Sequence, residues 1–154
     1  MQNASGGINV KKLVCGTLLF LLLAAGCSSN NDNKKLTFSE VKLEDTDEDI
    51  QSFVNASTDK NGIYLYQDKG KRLFVFFNGK NQEVENEAVF YKNFDVKSEK
   101  QTIKLFIEQA ATTSDEQKNL QKQMLYEVKF NKKYDTILLF NNGKNDSFTT
   151  VSGR

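Results

Sequence analysis

Residues 62–79 read GIYLYQDKGKRLFVFFNG, and this stretch decides the fold. Two runs of β-branched, aromatic and aliphatic residues, 63–67 and 72–78, flank the charged turn Asp68-Lys69-Gly70-Lys71, which is the pattern of a β-hairpin. Side chains alternate along a strand, so Leu73, Val75 and Phe77 share one face and Phe74 and Phe76 the other. A strand apolar on both faces needs cover on both, which places 72–78 in the middle of a sheet. Asn78-Gly79 marks the next turn.

Outward from the hairpin, further strand patterns occupy 88–96, 102–109, 124–130 and 136–141, with Asn142-Gly143 turning into a last short strand at 148–151. In the second of these, Ile103, Leu105 and Ile107 alternate with Lys104 and Glu108, a half-buried pattern. Residues 112–123 read as a polar loop. Ahead of the hairpin, Leu36 and Phe38 followed by Val41 and Leu43 suggest a first strand whose face switches at a bulge. Thr46 then caps a short helix in which Asp47, Glu48 and Asp49 favour the positive N-terminus and Ile50, Phe53 and Val54 share a face. Asn61-Gly62 closes that helical stretch. The expected fold is mainly β: an antiparallel sheet or sandwich of seven or eight strands with one short N-terminal helix, α+β being the alternative class. It forms a single domain over 36–154.

Several constellations resemble chemistry without meeting its requirements. Asp45, Asp47 and Asp49 imitate the opening of a calcium loop, but Ile50 stands where that loop needs glycine and Ala56 where it needs glutamate. Glu83, Glu85 and Glu87 share one face of an extended segment and read as a solvated edge. Ser39-Glu40-Val41-Lys42 has SxxK spacing, yet on a strand its Ser and Lys point opposite ways. The chain has no histidine, which removes Ser-His and Cys-His triads and His-based zinc sites. We therefore expect no enzyme, no catalytic residues, no metal site and no cofactor. The pair LFVFFNGKN at 73–81 and ILLFNNGKN at 137–145 admits duplicated hairpins, or simply the common grammar of strand followed by Asn-Gly.

The aromatics of the hairpin are the candidate binding set. Tyr64, Tyr66, Phe74 and Phe76 come from adjacent strands and can form one face. They read either as core lined by cross-strand pairs or as an apolar surface for a partner. Phe74 and Phe76 are expected to be covered, with Tyr64 and Tyr66 exposed at their hydroxyl ends.

The N-terminus states where the domain works. Residues 13–27, LVCGTLLFLLLAAGC, follow Lys11 and Lys12 and precede a polar run, the layout of a secretory signal. The apolar run is too short for a membrane span, which needs roughly 20 residues. Residues 1–9 read as misassigned leader ahead of a true start at Val10, a reading that any codon other than GTG there would refute. Removing residues 1–26, with Lys11 and Lys12 among the 21 basic residues, leaves roughly 128 residues in which 20 acidic side chains slightly outnumber the basic ones. That is enough for one modest core. The signs are interspersed, so no basic patch stands out for nucleic acid.

Leu23-Ala24-Ala25-Gly26-Cys27 resembles the bacterial lipobox. The resemblance implies cleavage between Gly26 and Cys27 and acylation of Cys27, palmitate being an expected chain, so that the protein is a lipoprotein held at the extracytoplasmic face of the cell membrane. Cys15 leaves with the signal, and no disulfide is expected. Residues 27–35 are the lipidated cysteine and a tether, whose eight residues after Cys27 span about 16 Å r.m.s..

The body from Gly62 to Lys144 is similar in pattern to the C-terminal domain of PrcB-type proteins, accessory subunits that stabilise a surface protease complex. The shared features are Gly62-Ile63-Tyr64-Leu65-Tyr66, a charged turn, the apolar strand at 73–77, several strands and a polar loop. Tyr126 to Phe130 and Ile137 to Leu139 then lead to Asn142-Gly143. Asn81-Gln82-Glu83-Val84-Glu85 stands where that family has a Pro-Thr-Gly-Gly-Tyr-like segment, and no functional residue carries over. The helix-then-sheet order also resembles small cystatin-like lipoproteins of Gram-positive bacteria. The expected function is a non-enzymatic module binding a protein partner at the cell envelope, as accessory to a protease or envelope complex. The alternative is a small lipoprotein that binds a glycan, peptide or lipid.

Overall fold

A computed structural model describes residues 36–69, 71–79, 88–112 and 121–154. The expected signal segment, Cys27, the expected tether, Glu83, Glu85 and Glu87 lie outside these residues. The described chain forms β1 (Leu36–Glu40), a 3-10 turn (Leu43–Asp45), α1 (Glu48–Ala56), β2 (Gly62–Asp68), β3 (Arg72–Asn78), β4 (Ala88–Glu99), β5 (Thr102–Thr112), β6 (Gln123–Phe130), β7 (Thr136–Asn141), β8 (Lys144–Asp146) and β9 (Thr150–Gly153). The fold is mainly β, with one more strand than the upper expectation, because the Asn142-Gly143 turn leads into two short strands.

Two sheets form. The first has the order β1-β6-β3-β2-β9 and the second β4-β5-β7-β8. β3 is the central strand of the first sheet, as its two apolar faces require. Leu73, Val75 and Phe77 meet Ile103, Leu105, Ile107 and Leu139 of the second sheet in the main core, joined by Ile63, Leu65 and Val128. On the far side of β3, the helix face Ile50, Phe53 and Val54 packs on Tyr64, Tyr66, Phe74, Phe76 and Leu125. The layers are therefore helix, sheet, sheet.

The pairing is mainly antiparallel, as expected, but each sheet also holds one parallel pair. β2 pairs parallel with β9, and β5 parallel with β7. Hairpin turns encode antiparallel neighbours locally, whereas β9 reaches β2 only after β7 and β8 have run through the other sheet.

The first strand does not bulge. It ends at Glu40, Val41 N–H donates to the Leu125 carbonyl at 2.9 Å, and residues 41–47 cross the sheet as a strap that carries Val41 and Leu43 onto the α1 side. Thr46 does not cap α1. Its hydroxyl donates back to the Leu43 carbonyl at 2.7 Å, and Asp47 holds the N-cap position, its carboxylate engaged instead by Arg72. The helix also ends at Ala56, earlier than Asn61-Gly62 suggests, and Ser57 Oγ donates to the Phe53 carbonyl at 2.8 Å.

A bulge does occur in β4, where Lys92 pairs with Glu108 but Asp95 with Phe106. Asn93 takes up the extra residue at φ 57°. The two similar segments are not duplicated hairpins: β3 is flanked by two antiparallel neighbours, while β7 lies between parallel β5 and a short β8.

Candidate functional site

The four aromatics that read either as core or as a binding face are core. Tyr64, Tyr66, Phe74 and Phe76 are 5%, 6%, 2% and 3% exposed. Register sets Tyr64 opposite Phe76 and Tyr66 opposite Phe74, and Phe53 of α1 lies 5.3 Å from the Tyr66 ring. The hydroxyl of Tyr64 does not reach outward as expected. It donates to the Lys60 carbonyl at 2.8 Å, and burial, helped by the charge of Asp59, raises its pKa above the ordinary phenol value. An amphipathic helix of only nine residues is sufficient to cover this patch, since its apolar side chains fall on one stripe.

An aromatic surface does exist, on the other sheet. Along β5, Ile103, Leu105 and Ile107 enter the core, so Lys104, Phe106 and Glu108 lie on the opposite face. Along β7, Leu139 points inward and Leu138 and Phe140 outward. The parallel register places Phe106 beside Phe140 and Lys104 beside Leu138. The two phenylalanine rings stack at 5.1 Å with an interplanar angle of 16°. Both are half-buried, as is Leu138. No described element packs over this face, in contrast to the helix-covered first sheet.

Charged pairs surround the apolar strip. Lys97 Nζ sits 5.3 Å from the Phe106 ring centre and 3.3 Å from Asp95; Lys104 pairs with Glu99, and Lys92 with Glu108 at 3.5 Å. An apolar centre with a polar rim is the anatomy of a protein interface. Phe106 was legible in principle, since it interrupts the polar phase of an otherwise alternating strand. Leu138 and Phe140 were hidden in a run apolar on both faces.

Two clefts flank the strap at 41–47. One, of about 570 Å³, has a floor of Val41, Leu43, Val54, Phe76 and Leu125. At its rim Gln121 Nε2 donates to Glu40 at 2.6 Å. The other, of about 400 Å³, is polar and contains Arg72, Glu127 and Lys129. Arg72 joins Asp68 and Asp47, with Glu127 at 3.6 Å, and its guanidinium lies 5.4 Å from the Phe74 ring centre. Hydrogen bonds from Arg72 hold the Asp68 carboxyl below the usual carboxylate range. This network fastens the start of α1 to the sheet.

Among the described residues no cluster of three potential metal ligands forms, and no helix is long and apolar enough to cross a membrane. No family model, curated protein or solved structure matches the chain.

Proposed function

We propose that the protein is an extracytoplasmic lipoprotein, cleaved after Gly26 and anchored through acylated Cys27, whose β domain is a non-enzymatic module for a protein partner at the cell envelope. The partner is a protease or another envelope complex that the module assists. The stacked Phe106–Phe140 pair carries this reading: it is an apolar strip on a sheet face that no described element covers, ringed by charges. Aromatic side chains supply much of the binding energy at protein interfaces, and truncating a central anchor costs about 2 kcal/mol or more.

The test is photocrosslinking in cells from a benzophenone side chain at Leu138, with Lys144 as the control position. The expected result is a discrete protein adduct at 138 that disappears in the Phe106→Ala/Phe140→Ala variant while the thermal midpoint stays near wild type. Adducts of equal yield from both positions, or none from 138, would remove the assignment.

The apolar cleft of about 570 Å³ supports a second reading as a small-ligand lipoprotein, since ligand sites commonly measure roughly 300–1,000 Å³. Thermal stabilisation by a glycan, peptide or lipid without any protein, abolished by Leu43→Trp filling the cleft, favours that reading.

A further inference from the structure

One end of the sandwich gathers three connections rich in lysine. The β2–β3 turn contributes Lys69 and Lys71, the β4–β5 turn Lys100, and the β6–β7 connection Lys132 and Lys133. Their adjacency is direct. Phe130 N–H donates to the Lys71 carbonyl at 3.0 Å, Asp135 N–H to the Gln101 carbonyl at 2.9 Å, and Lys132 Nζ to the Lys100 carbonyl at 2.9 Å. The carboxylates of the same turns are engaged: Asp68 by Arg72, Glu99 by Lys104 and Asp135 by Lys133 at 3.7 Å. Lys69, Lys71, Lys100 and Lys132 are exposed and form no ion pair among the described residues. Between the lysines, Tyr134 packs edge-on against Phe130 at 5.3 Å, with Lys132 Nζ 5.0 Å from its ring centre.

The chain enters the domain at this same end. Leu36, the first described residue, pairs with Phe130, and Lys34 and Lys35 precede it in the sequence. Only eight residues separate Leu36 from Cys27. At about 5–6 Å × √n, eight residues span about 16 Å r.m.s., whereas the seven-residue strands β2 and β3 set the far end roughly 23 Å beyond.

We propose that this end is a membrane-docking surface. With Cys27 in the bilayer, the lysines of the three turns meet anionic phospholipid headgroups and Tyr134 enters the interfacial layer, where an aromatic ring with a polar tip is favoured. The domain then stands upright, leaving the Phe106–Phe140 face parallel to the membrane normal and open to a partner. This orientation rests on the anchoring proposed for Cys27.

The test uses the full lipidated chain, which contains no tryptophan. Tyr134→Trp and, at the opposite end, Lys144→Trp report contact with brominated lipid in vesicles of phosphatidylglycerol or phosphatidylcholine. The expected result is quenching of the 134 probe in phosphatidylglycerol, weaker in phosphatidylcholine or at high salt, with the 144 probe unquenched. Lys132→Glu and Lys133→Glu should each lower the docked-to-undocked ratio roughly five-fold. Equal quenching at both positions, or quenching at 134 indifferent to lipid charge, overturns the docking surface. Failure of the chain to remain with vesicles at all instead overturns the anchoring reading, and a covalent lipid label on Cys27 distinguishes the two.

Discussion

Gln123 Nε2 donates to Asn78 Oδ1 at 3.0 Å, so a fully buried amide at the end of the central strand is held from the neighbouring strand. The Nδ2 of Asn78 faces the carbonyls of Ser57, Thr58 and Lys60 at 3.2, 3.0 and 2.8 Å. One side chain therefore organises the α1–β2 connection, which no regular element supports. Replacing it leaves those carbonyls and the Gln123 amide without it. Asn78→Leu is expected to cost about 2–4 kcal/mol in urea denaturation, since a stranded buried polar group costs roughly 1–3 kcal/mol. Asn78→Asp should be worse, because a carboxylate would face carbonyl oxygens. A loss below about 0.5 kcal/mol for either variant would contradict this role.

Both faces of β3 are core, so truncations on either should destabilise. Phe77→Ala, facing the second sheet, and Phe74→Ala, facing α1, should each cost about 3–5 kcal/mol. Tyr66→Ala should lose several kcal/mol through the same helix contact. If Phe74→Ala folded as stably as wild type, the helix could not be covering that face.

These positions show what the sequence made legible. The central strand was readable because five apolar residues in a row, Leu73 to Phe77, leave no polar face to solvate. The helix was readable from Ile50, Phe53 and Val54. That the helix lies on Tyr64, Tyr66, Phe74 and Phe76 was not, because the contact joins segments whose local patterns are independent. The parallel pairs escaped for the same reason: nothing in Thr150 to Gly153 names β2 as its neighbour. Phe106 gave a readable signal as an aromatic on a charged phase, but its partner Phe140 lies more than 30 residues on.

The Arg72–Asp68 contact predicts a pH dependence. Arg72 hydrogen bonds lower the folded-state pKa of Asp68, so the unfolded chain binds this proton more readily. The resulting stability is fully present above the unfolded carboxylate value, about 3.9. It is lost as pH falls through the lower folded value. Urea midpoints from pH 7 to 2 should therefore fall at acid pH, and Asp68→Asn should be less stable at neutrality with a shallower acid limb. An unchanged acid limb in Asp68→Asn would remove this residue from the account.

Gly62 and Thr149 are fitted to each other where β9 approaches β2. A Cβ on Gly62 would collide with Thr149 Oγ1 and lie 3.0 Å from Thr149 Cβ. The same Oγ1 accepts a hydrogen bond from Ile63 N–H at 3.2 Å. Gly62→Ala should cost about 1–3 kcal/mol through crowding, and Thr149→Ala about 1 kcal/mol through the lost bond. The double variant should be more stable than the sum, with a coupling of about 1 kcal/mol in a double-mutant cycle. Strict additivity would mean that the two residues do not touch.

Asn93 sets the phase of β4. With Asn93 as the extra residue, Val89 and Tyr91 before it and Phe94 and Val96 after it all reach the main core. Phe94 then lies 5.2 Å from Phe77 and 4.5 Å from Tyr126. Were Asn93 an ordinary ladder residue instead of a bulge, strict alternation would send one of these pairs to the outer face. The left-handed φ of 57° suits asparagine or glycine, and the Asn93 amide donates to Glu108 at 2.9 Å. Asn93→Gly should therefore remain within about 1 kcal/mol of wild type, while Asn93→Val, β-branched at positive φ, should lose about 1–2 kcal/mol. Deleting Asn93 should cost no more than about 1–2 kcal/mol, because Phe94 then falls opposite Ile107 and Val89, Tyr91, Phe94 and Val96 alternate inward on a regular ladder. Denaturation of the three variants checks these values. A deletion that lost several kcal/mol would show that Asn93 does more than take up the extra residue in β4.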